Sequence, residues 1–271
     1  MAIFELELSF SADLTTFLRR DSRDQGLIRR MLAEKTAVKD IIEACGVPHS
    51  EVDLIVAVET YGTERYAVHF GWPVQIPMRL EIFGVPAPAD VLPQTQRLQT
   101  KTWSRFVADG HLGKLARNLR LLGLDTAYER DADDCRILEI MAAEDRALLT
   151  RDRRLLMHSI VRLGYCPRST DAEEQTREVL RRFRLTGDSG HPAPYTRCLR
   201  CNALLQSVPK SEVLDPLSAE PLTLHYYHDF RRCTGLRPHL LARHAHRKTR
   251  RAAGTRDRRN VLRYEPEDHL E

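Results

Sequence analysis

The sequence predicts an α/β fold in which a small mixed sheet with one helix precedes a parallel sheet flanked by helices. The first sign is strict alternation near the start, where Phe4, Leu6, Leu8 and Phe10 are set against Glu5, Glu7 and Ser9. A period of two belongs to a half-buried strand. The second sign is a switch, beyond about residue 105, to short apolar runs alternating with stretches of helical period. Between the two parts, Gly84 to Trp103 is rich in Pro, Ala and Gln without a clear period, which is linker composition.

In the first part a helix is expected over 36–45, with Thr36 as N-cap, Val38, Ile41, Ile42 and Cys45 facing inward, and Gly46 as the stop. Residues 52–58 read as a buried strand, and 66–70 and 79–83 as two more. His49, after Pro48, reads as a turn residue. In the second part the strands are 106–108, 126–128 and 147–150. A helix carrying Leu112, Leu115, Leu119 and Leu122 ends at Gly123, and another over 134–144 turns Ile137, Ile140 and Met141 inward. Two further helices are expected near 153–163 and 171–184. Beyond Gly187 the sequence reads as loop and short strand.

At 271 residues with 42% hydrophobic and 30% charged content, the chain has the composition of a soluble globular protein of two domains or one with appendages. No apolar run approaches the roughly 18 residues of a spanning helix, so no membrane partner is expected. Glu5 and Glu7 stand where a secretory signal has basic and then apolar residues, which points to the cytoplasm. The net charge of +4 is unevenly spread. From Leu236 to Glu271 ten Lys or Arg face five Asp or Glu, leaving the rest of the chain at −1. Basic character belongs to the tail alone.

Three aspartates occupy the places where a parallel α/β sheet puts its chemistry: Asp109 directly after strand 106–108, Asp134 at the head of the second helix, and Asp152 just past strand 147–150. Ligands collect at the carboxyl ends of such strands, which lets Asp109 and Asp152 converge. Grouped carboxylates repel one another unless a hard cation holds them, and Mg2+ or Mn2+ prefers oxygen donors. Hydrolysis of a phosphodiester is the natural reaction, with the metal polarising the phosphoryl group and activating water. Each Asp is equally suited to cap a helix, Asp134 above all, and Asp133 is its alternative as ligand. Lys114, Arg117 and Arg120 on the helix after Asp109, with Arg151 and Arg153 beside Asp152, are either phosphate contacts or a solvated face. Lys114 and Arg151 are retained as candidates.

Of six cysteines, Cys198 and Cys201 form a C-x2-C pair, and Cys233 supplies a third thiolate for a structural Zn2+. Cys45, Cys135 and Cys166 fall within apolar patterns and read as core.

Three motif blocks resemble a known family: Phe106-Val-Ala-Asp109; Leu112-Gly-Lys-Leu-Ala-Arg117 with Leu119-Arg-Leu-Leu-Gly123; and Leu148-Leu-Thr-Arg-Asp152-Arg with Leu155 and Leu156. They look like the PIN-type ribonuclease domain named after the C-terminal part of the Mut-seven exonuclease, over about 105–185. The resemblance implies a PIN-like domain acting on RNA, with Asp109, Asp134 and Asp152 as metal-binding acids and a fourth acid near Asp171. Gly46-Val-Pro-His-Ser-Glu-Val-Asp53 with the apolar strand after it resembles the ubiquitin-like β-grasp domain of bacterial members. The stretch 61–78 departs from that pattern. No Gly-Gly end is present, so a docking role with a protein partner, or a structural role, is expected in place of a carrier role. The domains expected are β-grasp 1–85, linker 86–104, PIN-like 105–187 and a partial zinc ribbon 188–235. The rival readings are a non-catalytic RNA-binding module and a protein-interaction component.

The family's ribbon places a fourth cysteine where Leu236 stands. Residues 236–246 are encoded by one choice of codons that, read one base later, gives Cys-Gly-Arg-Thr-Tyr-Trp-Pro-Gly-Thr-His, which has the look of the missing knuckle. Residues 236–271 are therefore expected to be a frameshifted tail. The alternative is a basic, disordered tail that holds RNA by charge, with His225, His228 or His239 completing the zinc site.

Overall fold

A computed structural model describes residues 3–59, 64–91, 96–99, 103–185, 193–213, 230–235 and 240–242. The chain forms two compact units, one of residues 1–103 with 133–166 and one of 104–132 with 167–271.

The first unit opens with β1 (Phe4–Phe10), whose alternating side places Leu6, Leu8 and Phe10 in the core as its sequence period requires. There follow a short α1 (Arg20–Arg23), β2 (Leu27–Leu32), β3 (Thr36–Ala37), α2 (Val38–Ala44), β4 (Val52–Glu59), β5 (Arg65–Ala67), β6 (Pro73–Val74) and β7 (Met78–Gly84). The main sheet has the order β2-β1-β7-β4-β5, with β1 and β7 parallel and the other pairs antiparallel. One helix over a mixed sheet with parallel central strands is a β-grasp. Val52 to Ala57 are all buried, because β4 has a core on both faces. Leu54 and Val56 pack with Ala87, Val58, Ala67, Phe83 and Val91.

Helix α2 turns Val38, Ile41 and Ile42 inward and stops at Gly46, whose φ of 94° a side chain would strain and whose Cβ would meet the Phe17 carbonyl at 2.9 Å. Thr36 is not its cap. It lies in β3, its hydroxyl donates to the Glu34 carbonyl, and the cap position is Ala37. The first N–H groups of the helix, Val38 and Lys39, donate instead to the carbonyls of Trp72 and Phe70 at 3.0 and 2.9 Å. Main-chain acceptors from 70–72 take the place of a side-chain cap. The same commitment ends the strand expected over 66–70 at Ala67.

Also in this unit are α4 (Asp134–Glu144), β10 (Ala147–Leu149), a single-turn α5 (Arg153–Leu156) and β11 (Gly164–Tyr165), which pairs parallel with β10. The helix expected over 153–163 therefore stops at Leu156. The chain turns through His158 and Val161 so that Gly164 can lie beside β10, where an added Cβ would meet Leu156 Cδ2 at 2.5 Å. Cys45 and Cys166 are buried as expected, but Cys135 is exposed. It sits two residues before Ile137, which at about 100° per residue turns it away from the buried stripe.

Residues 49–51 form a 3-10 turn whose three polar side chains are all buried. His49 is thus more than a turn residue. Its Nε2 donates to the Val161 carbonyl at 2.6 Å and its Nδ1 lies 2.6 Å from Glu43 Oε1. Glu51 Oε1 accepts from the Cys166 N–H at 2.6 Å. The described part of the stretch read as linker is also bonded, with Leu98 N donating to the Asp53 carbonyl and Gln99 Nε2 to those of Ser50 and Val52.

The second unit holds β8 (Arg105–Ala108), α3 (Gly113–Leu121), β9 (Asp125–Tyr128), α6 (Ala172–Arg182), β12 (Leu205–Val208), β13 (Phe230–Cys233) and β14 (Leu240–Ala242). Strands β8 and β9 run parallel, and β12-β13-β14 form an antiparallel sheet. Phe106 meets Phe183 edge to face at 4.9 Å between ring centroids, and Asn118 Nδ2 donates to Ala172 O and Thr176 Oγ1 across the α3–α6 contact. Among the described residues no helix is long and apolar enough to cross a membrane.

The buried Glu51 supplies the first test. Glu51→Ala is expected to lower unfolding stability by roughly 1–3 kcal/mol, because it removes the carboxylate that accepts from the Cys166 N–H, whereas Glu51→Gln keeps an acceptor and costs less. Urea unfolding of both variants measures this, and equal losses would argue against the bond.

Candidate functional site

Asp109 leaves β8 directly before a 3-10 turn, Gly110–Leu112, and is half-buried. Its loop is close-packed: the Tyr128 hydroxyl donates to the Gly110 carbonyl at 3.0 Å, and a Cβ on Gly110 would meet the Arg130 carbonyl at 2.4 Å. Asp134 begins α4 and is exposed, while the cap is Asp133, which accepts the Arg136 N–H at 2.8 Å. Asp152 is exposed and caps α5, its Oδ1 accepting from Arg154 and Leu155. Asp171 caps α6 through Oδ1 in the same way.

Two of the basic residues considered as phosphate contacts are committed elsewhere. Arg120 is buried and donates to main-chain carbonyls, those of Thr126, Leu199 and Arg200. Arg153 donates to the Thr16 and Phe17 carbonyls with its guanidinium over the Phe17 ring. Lys114, Arg117 and Arg151 are exposed. The burial of Arg120 has a sequence signal, since it lies four residues after Ala116 and next to Leu119, within the stripe that α3 buries.

The structure does bring the three cysteines together. Among the described residues, the group of three or more His, Cys, Asp or Glu able to hold a metal ion is Cys198, Cys201 and Cys233, whose sulfurs lie within 4.8 Å of one another. Cys201 and Cys233 Sγ are 3.3 Å apart. The alternative ligands His225, His228 and His239, position 236, and all of the tail except 240–242 lie outside the described residues.

The cluster is positioned by two main-chain devices. The turn after Cys198 is closed by Asn202 N to Cys198 O at 3.0 Å, with Asn202 at φ 66°. Strand β13 carries Cys233 against Leu205 of β12. Main-chain N–H groups aim at sulfur, Arg200 N at Cys198 Sγ and Gly235 N at Cys233 Sγ, both at 3.4 Å. Burial acts to raise the Cys201 thiol, but hydrogen bonds from the Ala203 N–H and the neighbouring thiols, with the Arg120 charge, hold it below its usual value. Burial pushes Cys233 up to about 12. Three convergent soft donors fit Zn2+, and thiolate binding requires the metal to displace protons.

That competition fixes the sign of a pH effect. Below their pKa the thiols hold their protons against the metal, so zinc affinity should rise with pH. Since Cys233 keeps its proton through the neutral range in the metal-free protein, each ion bound releases at least one, and affinity should gain at least about tenfold per pH unit. Competition with a chromophoric chelator between about pH 6 and 8 measures the slope, and a flat profile would exclude thiolate ligation.

Comparison with families of known proteins gives two matches. The Mut7-C RNAse domain matches residues 104–239 and the Mut7-C ubiquitin domain matches residues 3–72. No curated protein and no solved structure matches. The first match contains all three aspartates and all three clustered cysteines, so the cysteines fall within the matched stretch and not beyond it. It also spans just over half of the chain, and the protein therefore belongs to the Mut7-C RNAse domain family, with the ubiquitin-like domain of that name at its N-terminal side.

Proposed function

We propose that the protein is a cytoplasmic metal-dependent ribonuclease that hydrolyses RNA phosphodiester bonds, with Asp109, Asp134 and Asp152 as ligands of Mg2+ or Mn2+. The observation that carries this reading is the RNAse-domain match over the stretch holding all three acids. Their local settings support it. Asp109 follows the carboxyl end of β8, Asp152 lies shortly after β10, and Asp134 opens a helix, positions at which α/β proteins collect their ligands. Hard oxygen donors suit such a cation, which when bound polarises a phosphoryl group and acidifies water. Lys114 and Arg151, exposed beside Asp109 and Asp152, hold phosphate oxygens of the RNA.

The cysteine cluster is a structural zinc site. The ubiquitin-like domain docks a protein partner through surface other than its 49–51 turn, which is already buried.

The second reading is a non-catalytic RNA-binding module, in which Asp152 serves only as the cap of α5. The choice of substitution separates the two. Asn caps about as well as Asp but lacks the charge that a metal needs, so Asp152→Asn keeps α5 and removes the ligand. It should lower Mn2+-dependent cleavage of labelled single-stranded RNA by roughly 100-fold or more, as loss of a group that stabilises the transition state does. Chelator should do the same to the unaltered protein. Undiminished RNA binding together with no metal-dependent cleavage by the unaltered protein would establish the second reading instead.

A further inference from the structure

In a parallel pair, the residues of an edge strand point every second N–H and C=O away from the partner, and those groups need other bonds when buried. Thr126 of β9 is such a residue and is wholly buried. Its N–H donates to Asn202 Oδ1 at 3.1 Å and its carbonyl accepts from Arg120 Nε at 2.8 Å. Both partners belong to the surroundings of the cysteine cluster.

Arg120 reaches from the last turn of α3 into the C-x2-C turn, where its Nη1 donates to the carbonyls of Leu199 and Arg200 at 3.1 and 2.8 Å. In a trans peptide the carbonyl and the next N–H point in opposite directions. Holding the Leu199 carbonyl on the α3 side therefore turns the Arg200 N–H the other way, onto Cys198 Sγ. Asn202, immediately after Cys201, bonds by its other side-chain atom, with Nδ2 donating to Asp125 Oδ1 at 2.7 Å. Arg197 adds a bond to the Asn202 carbonyl at 2.9 Å and an ion pair to Asp125 at 3.1 Å. The C-terminus of α3 is met from the same side, where Tyr195 N donates to the Leu121 carbonyl and a Cβ on Gly123 would strike the Ala193 carbonyl at 2.4 Å.

The geometry points to a linkage: metal occupancy of the Cys198–Cys201–Cys233 cluster orders the end of α3 and strand β9, with Arg120 and Asn202 as the positioning residues that connect the cluster to them. A ligand that binds only the formed knuckle stabilises whatever the knuckle holds in place. A loosened knuckle withdraws Asn202 from the Thr126 N–H and takes from Arg120 the two carbonyls that hold its guanidinium beside the Thr126 carbonyl. The linkage rests on the cysteines holding a metal and not on the aspartates cutting RNA.

Hydrogen exchange of the full chain tests it, followed by mass spectrometry of peptides covering 119–128 with and without one equivalent of Zn2+, while chelator competition reports zinc binding separately. Zinc should slow exchange in this segment at least about tenfold in the unaltered protein. Asn202→Gly keeps the positive φ but removes the side chain, so it should still bind one zinc ion while its zinc-dependent protection of 124–128 falls to about threefold or less. Arg120→Lys, which retains charge but loses the fork of donors, should reduce the effect similarly even if the chain tolerates it better than a truncation. Zinc bound without any change in exchange at 119–128, or full protection retained in Asn202→Gly, would overturn the linkage. Failure of the unaltered chain to bind zinc would overturn the metal reading of the cysteines and the linkage with it. Asp152→Asn should leave zinc protection unchanged, and so separates this result from the nuclease reading.

Discussion

A guanidinium taken out of water loses its solvent acceptors, and Arg120 replaces them with three main-chain carbonyls of the second unit. It is 3% exposed. Burial acts to lower its pKa, while the thiols of Cys198 and Cys201 and the carboxylate of Asp125 oppose that change. Three carbonyls converge on it, one from β9 and two from the C-x2-C turn, so a single side chain of α3 sets the spacing between a strand of the RNAse domain and a turn of the cysteine region. A lysine could supply the charge but not three bonds in this fixed fan. The cysteine region is consequently no loose appendage within this unit. Removing the arginine would take the donor from all three carbonyls at once, that of the buried Thr126 included.

The same requirement for partners shapes the first unit. The β-grasp sheet buries its aliphatic side chains in the usual way, but the turn before β4 buries a histidine, a serine and a glutamate. Besides Glu43 beside His49, their partners include Leu156, Val161 and Cys166, far along the chain. A freestanding β-grasp would leave His49 and Glu51 to water, so their burial shows that residues 156–166 complete this side of the domain. That arrangement limits which faces of the ubiquitin-like sheet remain open to a partner.

Most of this architecture was legible because the elements obey simple periods. The alternation of 4–10, the apolar run of 52–58 and the stripe of 134–144 reappear as β1, β4 and α4. Where sequence reasoning failed, a tertiary partner replaced a local signal. Strand β2 carries Arg29 and Arg30 side by side and is half-exposed at an edge, so no alternation marks it. The cap of α2 comes from carbonyls more than thirty residues away, which no local motif announces. Arg120, read as a phosphate contact or a solvated face, and Asn202, given no role, escaped for the opposite reason. Their signals are present, an arginine within a buried stripe and an asparagine after a knuckle cysteine, but each has a more common explanation as surface or turn.

The aspartates show how far local geometry reaches. A carboxylate offers about four lone-pair sites, and a helix cap uses one oxygen. At Asp152 and Asp171 both capping N–H groups go to Oδ1, and at Asp133 the single one does. Capping therefore leaves Oδ2 outside the cap; it fixes the χ angles of the side chain and so would lower the entropy lost on holding a cation there. Asp134 differs in kind, since Asp133 relieves it of the capping role and leaves its carboxylate at the positive end of the α4 dipole. Adjacent aspartates at a helix start thus divide the work, one satisfying the backbone and the other retaining both oxygens. The competing roles assigned to these acids by sequence are accordingly compatible at the level of single atoms.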